Sequence, residues 1–135
     1  MDYRDTLEEI ELRGGLTTGF DAALRFMIET CRKMPLHSDV RECLDVAVRY
    51  LEHDASFEDL ETARVRCWQL IKGRDSDLRD PNVASIRSVI CTLYPHDPRN
   101  DLFMTLDVFE DFAIAAGINP ADLLLGLRAA FGNAA

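Results

Sequence analysis

Helix punctuation constrains this chain more than any other feature. Asp80-Pro81 and Asn119-Pro120 each place a capping side chain directly before a proline. That order starts a helix, because the cap satisfies a free backbone N–H and proline at the first position has none to satisfy. Thr18 with Asp21, and Ser56 with Asp59, have the three-residue spacing of a capping box. Gly14-Gly15, Pro35, Gly73, Pro95, Pro98 and Gly117 fall where such helices must stop. Between these marks apolar residues recur every three or four positions, not every two.

The spacing predicts a short first helix from Tyr3 to Leu12 and a second opening at Thr18 and running to about residue 33. Leu24, Met27, Ile28 and Cys31 form the stripe of the second. Ser38 is expected to cap a third helix over 39–52, with Val40, Cys43, Leu44, Ala47, Val48 and Leu51 on one side. A fourth spans 57–71 with Leu60, Ala63, Cys67, Leu70 and Ile71 inward and Trp68 on the flank. The short link between these two predicts an antiparallel hairpin.

A charged loop at 74–79 leads to a fifth helix over 82–94. Arg87 is its one formal charge, so it reads as the most buried helix. An arginine alone there must reach solvent or pair with an internal acid. A sixth helix over 101–116 turns Leu102, Leu106, Phe109 and Ala113 inward. The last carries Leu123, Leu124, Leu127 and Phe131. The expected fold is all-α: a single irregular bundle of six or seven helices, with residues 1–135 as one domain.

A hydrophobic share of 47% supplies a core of that size, and apolar residues recur along the whole chain, unlike a disordered one. No apolar run reaches the ~18 residues of a membrane span, and the acidic start does not resemble an export leader, so a cytoplasmic protein is expected. The four cysteines, Cys31, Cys43, Cys67 and Cys91, include no C-x-x-C pair. Each sits among apolar residues, as reduced core cysteines do.

The net charge is −9, and its distribution is uneven. Residues 1–12 hold five acids against Arg4, and residues 100–135 hold five against Arg128, while the middle is nearly neutral. Such a surface repels nucleic-acid phosphate and anionic membrane, which both select Lys/Arg clusters. It attracts basic proteins and raises their association rate. Plain solubility is the competing explanation.

No catalytic, metal or cofactor constellation is legible. His37, His53 and His96 sit near helix ends, outside any H-x-x-x-H or H-E-x-x-H frame, and the adjacent His96 and Asp97 read as a solvated turn. No phosphate loop or dinucleotide fingerprint is present. Glu58, Asp59 and Glu61 open a helix, where acids complement the macrodipole. Two other acidic groups stand out. Asp107, Glu110 and Asp111 lie at i, i+3 and i+4, on one face with no base at helical spacing. Asp5, Glu8 and Glu9, with Asp2 and Glu11, form the second group. Each is either a solvated face or a contact surface for a basic partner.

The run from Met34-Pro35 to Trp68, with Asp39-Val40-Arg41, Tyr50-Leu51 and Leu60-Glu61-Thr62-Ala63-Arg64, resembles helical immunity proteins of bacterial polymorphic-toxin systems. The resemblance covers about a third of the chain and rests on degenerate helical positions. It implies a non-enzymatic protein that binds a cognate toxin, many of which are basic and act on nucleic acid. The candidate contacts are then Asp107, Glu110 and Asp111, followed by Asp5, Glu8 and Glu9. A helical adaptor or regulatory module stays open as the alternative, and so does self-association.

Overall fold

A computed structural model describes residues 1–132. Its elements are α1 (Tyr3–Leu12), α2 (Phe20–Cys31), α3 (Ser38–Leu51), α4 (Phe57–Leu70), α5 (Pro81–Cys91), α6 (Leu102–Ala115) and α7 (Pro120–Phe131). The fold is all-α, with no strand among the described residues. Buried apolar side chains from all seven helices meet in one cluster.

Most of the expected starts are in place. Asp80 accepts from the Asn82 N–H, and Asn119 from that of Ala121, each with proline at the helix start. Ser56 and Asp59 close a reciprocal capping box on α4. The Thr18 box does not form: Gly19 is the N-cap of α2 and no side chain bonds there. The chain turns tightly before Gly19, whose N–H reaches the Leu16 carbonyl at 3.4 Å, so residue 18 is out of the capping position. Gly19 is also crowded, since a Cβ there would lie 2.7 Å from the Phe131 ring. Ser38 is likewise not a cap but the first residue of α3, with His37 before it making no side-chain bond. Two caps were not anticipated: Asp2, in a box with Asp5, and Asp101, which accepts from Met104.

Helices α3 and α4 are antiparallel, as their short link required. Arg66 near the end of α4 reaches Asp39 at 2.7 Å and Glu42 at 3.0 Å near the start of α3. Tyr50 and Phe57 meet at the connected end, with ring centroids 6.1 Å apart.

The centre of the bundle is α5, which packs against α2, α3, α4 and α6. All its residues from Val83 to Cys91 are buried except Arg87. Two serines can be buried here because each hydroxyl donates within the helix, Ser85 to the Pro81 carbonyl and Ser88 to that of Ala84. Arg87 takes the first of the two expected routes, since it is only partly buried and its hydrogen bond lies at the surface. Its guanidinium lies between the rings of Trp68, at 4.9 Å, and Phe112, at 4.5 Å, and donates to the Asp75 carbonyl. Ring faces attract a cation without presenting an opposing charge, so no internal acid is required.

The four cysteines are buried and free. α1 packs on both α6 and α7 and so joins the first helix to the last two. Arg13, just after α1, donates to the Phe131 carbonyl at 3.1 Å, and Arg128 to that of Met1 at 3.4 Å.

Candidate functional site

The heptad-like spacing of α1 sorts its side chains onto three directions. Tyr3, Leu7 and Ile10 point inward and are buried. The Tyr3 hydroxyl donates to the Leu106 carbonyl at 2.7 Å, fixing the helix against α6. One flank carries Arg4, Glu8 and Glu11 toward α6; the other carries Thr6, Glu9 and Arg13 toward α7.

This arrangement joins the two acidic segments. Arg4 donates from Nη1 to both carboxylate oxygens of Asp107, each at 3.0 Å, and from Nε to Glu8 at 3.0 Å. Glu110 lies among Asp111, Asp2, Asp107 and Arg4. Its carboxyl is held above the usual range, by partial burial first and then by those three acids. Tyr3 beneath them is pushed up by burial first and then by Glu110 and Asp107. Asp2, Asp107 and Asp111 thus surround Glu110, Arg4 ties Asp107 to Glu8 beside them, and Asp5 joins through its capping box with Asp2. Half of these acids come from the α1 segment and half from α6.

Glu9 departs from the group. It is half-buried in a shallow depression with Arg13 and Arg128, on the α7 side. Sequence spacing put Glu8 and Glu9 together, but a 100° step between neighbours sends them to opposite flanks.

Sequence reasoning missed Arg4 as the joint between the segments, and it missed a cleft. At the other end of the α1–α6 contact a cavity of about 400 Å³ opens between the start of α2, the 94–101 loop and the start of α6. Phe20, Met27, Leu102 and Phe103 supply apolar wall. His96 stacks on Phe20 with centroids 4.6 Å apart and planes 9° apart, and its backbone N–H donates to the Tyr50 hydroxyl. Asp97 does not form an acid–base pair with His96. It is gripped by Arg99, whose side chain and N–H bonds hold its carboxyl down at about 2. Phe103 belongs to both regions, since Arg4 stacks on its ring at 5.1 Å.

Among the described residues, no group of histidine, cysteine and carboxylate side chains could hold a metal ion. None of the helices described is long and apolar enough to cross a membrane. Comparison with models of known families, with curated proteins and with solved structures returns no match.

Proposed function

We propose that this chain is a non-enzymatic immunity protein, a binder that neutralises a basic bacterial toxin in the cytoplasm of the cell that makes both. The observation that carries the reading is the merging of two sequence-distant acidic segments into one face around Arg4. Like charges gathered at such a cost in repulsion suit a surface that is relieved when a cationic partner covers it. The capture would be fast and sensitive to salt, as suits a nuclease-type toxin rich in Lys and Arg.

The resemblance of residues 34–68 to helical immunity proteins supports the same role. The adaptor alternative would draw on exposed apolar side chains, and α4 offers Phe57, Val65 and Leu70, the last exposed at the helix end although its spacing predicted an inward position. At 100° per residue those three point in different directions and make no single stripe.

Co-expression with the product of the adjacent gene tests the role. The expected result is that the neighbour alone arrests growth, that this chain restores it, and that the two co-purify one to one. A harmless neighbour would overturn the toxin reading. The surface is tested separately with Asp107, Glu110 and Asp111 all changed to lysine. That variant should keep its helical circular dichroism and lose binding, whereas unaltered affinity would remove this face from the interface.

A further inference from the structure

The cleft beside the acidic face has a chemistry of its own. Its walls are aromatic and aliphatic, and its charged lining residues are Glu11, Asp97 and Asp101, with no lysine or arginine among them. Asp97 is already committed to Arg99. Asp101, which is exposed, uses Oδ1 to cap α6 through the Met104 N–H, and Glu11 is exposed on the flank of α1. A cavity of about 400 Å³ lies within the roughly 300–1,000 Å³ of built ligand pockets.

We propose that this cleft is the anchor site for an arginine side chain of the protein partner. Three observations select that occupant. Charge complementarity favours a cation, because the exposed carboxylates of Glu11 and Asp101 line the cavity and no lysine or arginine does. The apolar walls require a stem or a flat face rather than a bare ion, and a guanidinium stacks on aromatic rings where an ammonium stays hydrated. The third is continuity. Phe103 walls the cleft on one side and carries Arg4 of the acidic face on its ring, so one basic segment can span both. The chain itself uses this chemistry for its own arginines, Arg64 stacking on Tyr94 at 4.8 Å and Arg87 between Trp68 and Phe112. The inference rests on the reading of the protein as a binder of a basic partner and names where that partner is gripped.

The test needs no toxin. A short acetylated and amidated Ala-Arg-Ala peptide is titrated into the full chain and followed by amide and aromatic NMR shifts. The expected result is saturable shifts at Phe20, His96, Leu102 and Phe103. The same peptide with citrulline, equal in shape but uncharged, should bind about tenfold more weakly. The double variant Glu11→Gln, Asp101→Asn should show a similar loss while remaining folded, because asparagine is as good a cap as aspartate. Equal binding of the citrulline peptide, or shifts confined to Asp107, Glu110 and Asp111, would overturn the assignment. So would choline shifting the cleft as strongly as the arginine peptide, since the site would then select small organic cations. Growth rescue retained alongside a negative titration sinks the cleft alone; failed rescue alongside a positive one sinks the immunity role alone.

Discussion

Arg4 and Asp107 lie 103 residues apart in the chain and meet through one guanidinium nitrogen that donates to both carboxylate oxygens. Half of the Arg4 side chain is exposed, so solvent weakens the pair, and its role is organisational more than energetic. It sets the register of α1 on α6 and dilutes the repulsion among the acids around it. Arg4→Gln should lower stability slightly and more so at low salt, where the carboxylates are least screened. Denaturant midpoints at low and high salt would show this, and a salt-independent loss would point to Phe103 packing instead.

Glu110 carries a distinct pH signature. Its carboxyl titrates above the usual range when folded, so the folded state binds the proton more tightly than the unfolded one. Its contribution is therefore most favourable below the unfolded value and is lost as pH rises through the raised folded one. Glu110→Gln should be more stable than the wild type at neutral pH, and the gap should close on acidification. Thermal melts of the two proteins at a series of pH values check this. A gap that widens toward low pH would contradict the sign.

Arg87 between Trp68 and Phe112 should resist replacement. Arg87→Met keeps the aliphatic stem but removes the cation from two ring faces, at a cost of about 2 kcal/mol. Trp68 reports the change directly, so its emission should shift even under conditions where the helices remain formed. An unchanged spectrum with unchanged stability would show that the stacking contributes nothing.

The two sequence-level capping boxes make a matched pair. Ser56→Ala removes a bond to the Asp59 N–H and should cost about 1 kcal/mol. Thr18→Ala removes none and should leave the melting temperature unchanged. Equal losses in both would mean that α2 is capped by Thr18 after all.

His53 is the one non-glycine residue with positive φ, at 62°, among the described residues. It follows the end of α3, where the left-handed conformation suits glycine. His53→Gly should raise stability by about 1 kcal/mol, or about 3 °C in melting temperature. A lower midpoint would show that the imidazole makes a compensating contact.

The pattern of legibility follows from what is local. Asp80-Pro81 and Asn119-Pro120 announce α5 and α7 because cap and proline act within one turn. The stripe Leu24, Met27, Ile28 and Cys31 is fully buried, since a 3.6-residue period alone defines an inward face. Thr18 failed because the chain turns tightly before Gly19, a backbone course that the three-residue spacing to Asp21 does not encode. Phe112, three residues after Phe109, widens the buried face of α6 beyond the expected stripe and covers Arg87. In the candidate site the acids were visible as clusters, but their union was not. It depends on α1 packing on α6, and Arg4 looked like a lone offset to five acids. The cleft was invisible for the same reason, being walled by residues from two distant stretches of chain, 11–27 and 91–105.

The division of the acidic face between α1 and α6 has a further consequence. The face exists only when the first helix has docked against the sixth, so neither half of the chain carries it alone. A cationic protein that binds it recognises the assembled molecule and not its unfolded form. By mass action such a partner must stabilise the fold, by an amount that grows with its concentration relative to its dissociation constant. The docking of one short terminal helix would then set both when the surface appears during synthesis and how firmly the molecule is held once it is occupied.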